Sequence, residues 1–370
     1  MSFRDDVASF LATTPRPEGL HDYGPTPASS DVAAGRRWQR TLAEHGYACL
    51  HWPREHGGSD ASVADQAAFA EECARAGVPR QLSMVGPDLV GPVLMGFGSR
   101  TQQDLHLPRI RDGRDLWCQL FSEPGAGSDL AAVTTRAIRQ PDGSWRIRGQ
   151  KVWTSAADSA DLGLLLARSG GPGPGGLSVF VVPMANQGIT VRPLRQMDGE
   201  SKFNEVFLDD VVLHADQVVG TPGAGWQVAK ATLGRERLSL GANAVGMFES
   251  IAELETAAAE HGRLDDSLRD EIVKAWIRVW LMRVTWERAI EEETDPSGAT
   301  FSVLKLLTSE TYRDIADLGG AALGPAALEE EQPLVKRMLV GHAQTILGGT
   351  SEIQRTILAE RILGLPRAPR

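Results

Sequence analysis

Cysteine is scarce in this chain of 370 residues, with Cys49, Cys73 and Cys118 as the whole complement. Three thiols so widely scattered are too few for a disulfide framework or a cysteine-ligated zinc site, and they point to a reducing compartment, the cytoplasm. Runs of consecutive Lys or Arg are missing as well, and the formal net charge is −10 with a pI near 5.4. Nucleic acid and anionic membrane surfaces are therefore poor partners for it, and an anionic ligand would need local basic side chains or backbone N–H groups. Long apolar runs are also lacking. Stretches such as Leu162–Ala167 fall far short of the roughly 20 residues that cross a bilayer. The opening segment Met1–Pro17 carries Arg4, Asp5 and Asp6 and is not expected to be a signal peptide. What remains is ordinary for a soluble globular protein, 42% hydrophobic and 23% charged. The length suits two or three packed domains.

Three zones follow one another. Residues 1–115 read as mostly helical. Val32–Tyr47 places Val32, Trp38, Leu42 and Ala43 at helical spacing with Gly46 as a stop, and Ala61–Ala76 forms a second run ending at Gly77. Between them, Trp52–Gly58 is a loop by its Pro and Gly content. In residues 116–220 the period changes. Trp145, Ile147 and Gly149 alternate with Arg146 and Arg148 after a Pro141-Asp142-Gly143 turn, and Leu177–Val182 and Asn204–Val212 are rich in β formers. This zone reads as a compact, mostly antiparallel β domain. In residues 221–370 helices return, over Trp226–Ala259, Ser267–Glu293, Ser302–Leu318 and Ser351–Leu363, with small residues at Gly241, Ala242, Ala244 and Gly246 that suggest close helix packing. The expected fold class is α+β, an N-terminal α domain, a middle antiparallel β domain and a C-terminal helical bundle.

The most informative stretch is Gln119-Leu120-Phe121-Ser122-Glu123-Pro124-Gly125-Ala126-Gly127-Ser128-Asp129. A strand runs into a Pro-Gly-x-Gly turn whose glycines let the backbone approach a ligand closely, with hydroxyl and N–H groups at one spot. Taken alone it reads equally as a tight turn with a polar rim. Two further segments stand beside it, Gly149-Gln150-Lys151-Val152-Trp153-Thr154-Ser155 and Gly349-Thr350-Ser351-Glu352-Ile353-Gln354-Arg355. Together, in this order and spacing, the three resemble the signature segments of acyl-CoA dehydrogenases.

The resemblance implies roles by position. Phe121, Ser122, Gly127 and Ser128 would contact FAD and border the channel for the CoA thioester. Trp153, Thr154 and Ser155 would pack against the isoalloxazine. Outside such a motif, Trp153 would be read as core. Thr350 and Glu352 would reach FAD from the C-terminal helix, whose N-terminus suits a pyrophosphate, although plain helix capping is compatible with the same residues. The base is a sharper matter. In one group of these enzymes it is a Glu just before the C-terminal Gly-Thr-Ser, where this chain has Gly348. Another group carries it as Glu-Arg on the first long helix of the C-terminal domain, which points to Glu236 followed by Arg237 in Leu233-Gly234-Arg235-Glu236-Arg237-Leu238. The alternative for Glu236 is a helix carboxylate paired with Arg235, Arg237 or Lys230. Gly348 would keep a part in substrate binding through its backbone N–H, with Ser128 and Arg237 beside it.

Two departures from the family pattern bear on assembly. The Arg-x-x-Phe-Gly segment by which many relatives reach a neighbour's FAD has no Phe-Gly counterpart near His261–Asp266, and a Gln expected ahead of Gly319-Gly320 is Ala316. The resemblance is then to heteromeric bacterial members acting on bulky, often steroid-derived, CoA thioesters. It implies an acyl-CoA substrate, an electron-transfer flavoprotein as acceptor and a homo- or hetero-oligomer with a homologous chain. The rival readings are a non-catalytic partner subunit and a flavin oxidase or oxygenase on the same fold.

Overall fold

A computed structural model describes residues 2–238, 244–292, 299–329 and 332–367, without the side chains of residues 235–238, 244–245, 290–292 and 299–300. The chain divides into two compact units, residues 1–196 with 200–232, and residues 197–199 with 233–370.

The first unit opens with helices α1 (Phe3–Thr13), α2 (Val32–Glu44), α3 (Val63–Arg75), α4 (Gly91–Phe97) and α5 (Arg100–Arg111). Their starts carry the expected caps, Ser2 with Asp5 on α1 and Ser99 with Gln102 on α5, each pair satisfying two backbone donors reciprocally. Trp38 and Leu42, one turn apart on α2, are buried with Val7, Phe10 and Phe69 from α1 and α3. The Trp38 indole N–H donates to the Pro79 carbonyl at 2.7 Å, so its burial leaves no polar group unpaired. The expected helices over 32–47 and 61–76 are thus present, slightly shorter, and the loop at 52–58 contains one 3₁₀ turn, Arg54–His56.

Strands β1 (Trp117–Leu120), β2 (Arg136–Arg139), β3 (Trp145–Ser155), β4 (Leu162–Arg168), β5 (Leu177–Pro183), β6 (Ile189–Leu194), β7 (Phe203–Leu213) and β8 (Val218–Val219) follow. They form one sheet of order β6–β7–β3–β2–β4–β5–β8, with β1 joined to β4. The pairing is antiparallel except where β1 and β2 meet β4. Ile147, Leu165, Phe180, Val206 and Val211 are fully buried in its core. Alternation fails in two places. Between β3 and β7 the register shifts from Ile147 to Gly149 and again from Lys151 to Thr154, two bulges in one strand.

The second unit takes the last turns of α6 (Gly225–Leu238), then α7 (Ala244–Glu260), α8 (Asp266–Glu292), α9 (Ala299–Leu323), α10 (Pro333–Gln344) and α11 (Ser351–Ile357), which runs on as a π turn to Ile362. The helix expected over 226–259 is two elements, and residues 239–243 lie outside the described part. Met247, Ile251, Leu254, Ile272, Val279, Met282 and Leu304 form the buried face of this unit. Gly241 and Ala242 are outside the described residues. Gly246 is exposed, and a Cβ built there would meet nothing within 4 Å. Among the described residues, the close packing expected of Gly246 is therefore not found at that position.

Candidate active site

Strand β1 delivers Phe121 and Ser122 to a turn in which Glu123 and Ala126 exchange backbone hydrogen bonds at 3.1 and 3.0 Å. Phe121 is buried, Ser122 half-buried, and Gly127 and Ser128 are exposed. Neither Gly125 nor Gly127 has a left-handed backbone, and a Cβ on either would touch nothing within 4 Å. The chain's own fold does not demand glycine there. Open space beside two glycines is what a ligand approaching the backbone requires.

The turn is fastened to β3. The Val152 N–H donates to the Ser122 carbonyl at 3.0 Å. Lys151, fully buried, donates from Nζ to the Phe121 carbonyl at 2.9 Å and to Glu123 Oε1 at 2.8 Å. Glu123 also accepts from the Thr134 N–H and hydroxyl and from the Thr135 N–H, at 2.7 to 2.9 Å. Burial alone would raise the Glu123 pKa, but the Lys151 charge and these donors outweigh it and hold the carboxyl down at about 2. Burial pushes Lys151 down to about 8 against the opposing pull of Glu123. Neither residue was assigned a role from sequence. The signal was there, since two-residue alternation from Trp145 and Ile147 runs on to Lys151 and predicts an inward-facing ammonium that needs an acid.

Just past that clasp, the bulge turns Trp153 outward. It has a left-handed backbone at φ 58° and is 59% exposed, and its ring meets Phe203 edge-on at 6.2 Å. Trp153 is thus not core. A large exposed aromatic held at a strained position is a candidate for contact with a ligand. Beside it Thr154 is fully buried, and its hydroxyl has no hydrogen-bond partner among the described residues. Ser155 is half-buried at the strand end. The structure therefore brings Phe121, Ser122, Trp153 and Thr154 together on two tied strands, with Gly127 and Ser128 on the turn that follows. An orphaned buried hydroxyl, an exposed ring and a glycine turn with free space suit a planar heterocycle with polar edges.

The remaining expected residues lie in or near the second unit. Glu236 and Arg237 fall on α6, but their side chains are outside the described residues. Gly348 and Gly349 are both left-handed, φ 64° and 94°. That backbone favours glycine and disfavours a side chain at Gly348, so the missing carboxylate has a structural counterpart. Thr350 caps α11, its hydroxyl accepting from the Ile353 N–H at 3.2 Å, while Glu352 is exposed beside Arg355. Ala316 is buried and offers no polar group to another chain. Arg263 in the His261–Asp266 turn is exposed and donates to the Ala321 carbonyl at 3.3 Å.

A second feature of the first unit escaped the sequence reading, an open cleft of about 770 Å³ lined by residues 131–134, 136–139 and 168–173. It begins three residues after Ser128. Arg168 holds its glycine-rich wall by donating to the carbonyls of Ala131, Val133, Gly171 and Gly173 at 2.6 to 3.1 Å. Arg136 and Arg139 stand exposed along its β2 side. Among the described residues no cluster of three or more His, Cys, Asp or Glu could hold a metal ion, and no helix is long and apolar enough to cross a membrane.

The chain matches the family models for the acyl-CoA dehydrogenase N-terminal domain over residues 2–114, the middle domain over 118–211 and the C-terminal domain over 223–363. It belongs to the acyl-CoA dehydrogenase family, oxidoreductases of lipid metabolism whose members are in general FAD-dependent flavoproteins. It is 43% identical over 344 residues to acyl-CoA dehydrogenase IpdE1 of Mycobacterium tuberculosis, covering 90% of this chain and 88% of that one. Among solved structures, the Tcur3481-Tcur3483 steroid ACAD superposes with a TM-score of 0.85 at 28% identity, over 99% of this chain and 97% of that one. The ChsE4-ChsE5 complex from Mycobacterium tuberculosis gives 0.84 at 27%, with the same coverage.

Proposed function

We propose that the chain carries out FAD-dependent α,β-dehydrogenation of a bulky, steroid-type acyl-CoA thioester, with Glu236 as the base. The observation that carries the reading is the outward Trp153 beside the orphaned Thr154 hydroxyl, clasped by Lys151 and Glu123 to the Gly125–Ser128 turn. When bound, FAD supplies at N5 the acceptor for the β hydrogen and its electron pair. The chain's own residues do the rest. Glu236 takes the α proton as the C–H bond breaks, and the Gly348 N–H steadies the charge that builds on the thioester carbonyl. Trp153 and Phe121 hold the flavin ring, with Thr154, Ser155 and Ser122 as polar neighbours. Ser128 and Arg237 border the thioester, and Thr350 and Glu352 reach the cofactor from α11. The Arg136 and Arg139 side of the cleft takes the phosphate-bearing end of CoA, local basic groups that a chain of net charge −10 needs for such a ligand.

The absent Phe-Gly in the His261–Asp266 turn supports completion of the flavin site by a homologous but unlike chain. The Tcur3481-Tcur3483 steroid ACAD and the ChsE4-ChsE5 complex, each named for two components, accord with this. The acceptor of the electrons is an electron-transfer flavoprotein, and the setting is the cytoplasm. Anaerobic flavin bleaching by steroid-type CoA thioesters, with and without the homologous partner, tests the whole. Glu236→Gln should keep its FAD and bleach roughly 10² to 10⁴ times more slowly. An equal rate would remove Glu236 from the role, and a parent that no thioester bleaches would overturn the dehydrogenase reading.

A further inference from the structure

The segment Thr345–Thr350 joins α10 to α11 and carries two adjacent glycines, Gly348 and Gly349, both left-handed. Such a pair is the most permissive that a chain can hold, since neither residue has a side chain to anchor it. The direction of its peptide groups is therefore set from outside, at both ends of the turn. Lys305 on α9, 2% exposed, donates from Nζ to the Gln344 carbonyl at 3.1 Å. Gln354 on α11, fully buried, donates from Nε2 to the Gly349 carbonyl at 3.4 Å. Between them the Ser351 N–H closes the turn on the Thr345 carbonyl at 2.9 Å.

Three carbonyls are thus drawn inward, and the N–H groups between them are left over. Among the described residues, none of the N–H groups of Gly348, Gly349 and Thr350 has a hydrogen-bond acceptor. Successive unpartnered N–H groups make a concavity suited to an oxygen that carries negative charge. We propose that Gln354 is a positioning residue, which aims this donor set, and the Gly348 N–H above all, at the thioester carbonyl. The assignment rests on the reading of Gly348 as a thioester contact. The Gln354 amide lies directly against the turn. A Cβ on Gly349 would stand 2.7 Å from its Nε2, so the approach of the amide requires glycine there. Its Oε1, by contrast, is buried with no hydrogen-bond partner among the described residues. An amide satisfied on one side only costs stability, and a leucine would fill the same space without that cost. What a leucine cannot do is hold the Gly349 carbonyl. The bond is long, as hydrogen bonds around a reacting centre often are until the ligand is in place. Gln354 acts through Gly349 on the neighbouring peptide, while Lys305 keeps the other end of the turn from following.

The test is anaerobic single-turnover flavin bleaching of the full chain, with any homologous partner that co-purifies, so that only FAD-loaded protein is read. The probe is the steroid-type CoA thioester that bleaches the parent fastest. Removing a donor to a developing oxyanion slows a reaction roughly 10² to 10³ times, and misaiming one costs part of that. Gln354→Leu should therefore lower the limiting rate about 10- to 100-fold, while the apparent dissociation constant of the thioester moves less than ~3-fold. Its urea midpoint should hold or rise, because no orphaned oxygen remains. Gln354→Glu adds a signature in pH. A protonated carboxyl can donate to the Gly349 carbonyl as the amide does, and an ionised one cannot. Its limiting rate relative to the parent should fall as pH climbs, a limb that a merely structural side chain would not produce. Should leucine prevent folding, this pH arm decides alone. A lower urea midpoint or FAD content with the parent's limiting rate overturns the proposal, and so does a Gln354→Glu profile parallel to the parent's. A parent that no thioester bleaches removes the dehydrogenase reading itself and the proposal with it, whereas a bleaching parent with unchanged variants overturns the proposal alone.

Discussion

Replacing Lys151 by Met removes the ammonium from the clasp while keeping a side chain of similar length. Its effect follows from how the pair divides its energy. Glu123 moves from 4.5 to about 2, and Lys151 from 10.5 to about 8. At ~1.4 kcal/mol per tenfold change, either displacement corresponds to roughly 3 kcal/mol, in opposite senses for stability. The carboxylate is stabilised by the pair, and the ammonium is destabilised by its burial by about as much. The pair as a whole is thus near neutral, but half of it is not. Lys151→Met leaves Glu123 buried with three donors and no counter-charge, which should cost about 3 kcal/mol or more. Lys151→Met with Glu123→Gln should cost less than the sum of the two single changes, with a coupling of ~1–3 kcal/mol. Urea unfolding followed by the far-UV signal measures all three. The pH dependence adds a signature. The contribution of Glu123 is complete above about 4.5 and lost as pH falls through about 2. The burden of Lys151 is complete below about 8 and relieved as pH climbs towards 10.5. The parent should therefore gain stability from pH 8 to 10 in a way that Lys151→Met does not. If the single variant unfolds at the parent's urea midpoint, or if the two changes are additive, the buried pair does not hold the turn to β3.

Three further outcomes are expected. Trp153→Ala should lose FAD on gel filtration at least tenfold more readily with its circular dichroism unchanged, because a ring 59% exposed supports little of the fold; unfolding instead would return Trp153 to the core. Arg136→Glu should raise KM for CoA thioesters about 10- to 100-fold with kcat nearly constant, the pattern of a lost ground-state contact, and an unchanged KM would separate the cleft from the substrate. Gly149→Ala should be destabilised by ~2 kcal/mol or more, since its Cβ would lie 2.7 Å from the Thr135 backbone; a stability equal to the parent's would show that β2 yields easily.

Much of the architecture was legible because it rests on periodicity. Trp38 and Leu42 on α2, the Pro141–Gly143 turn before β3, and the run of inward Val and Phe on β5 all write their burial into residue spacing. The site was legible only as motif, since its geometry depends on breaks in that spacing. Two-residue alternation from Trp145 and Ile147 places Lys151 and Trp153 both inward. The bulge between Lys151 and Thr154 keeps the first inside and sends the second out, and no residue type announces such a bulge. The Arg136–Arg139 cleft needed the sheet itself, because it joins residues 131–139 to a loop that follows them by some thirty positions.

Composition would mark the stretch from Ser169 to Gly176, five glycines and two prolines among its eight residues, as a tether that proteases cut readily. Arg168 changes that expectation. One guanidinium gathers carbonyls from before β2 and from within the loop, so opening the peptide for a protease's extended cleft means releasing several charge-assisted bonds together. The segment is therefore a kinetic barrier to nicking held by a single side chain, and replacing Arg168 by Leu should turn a resistant loop into a preferred scissile one.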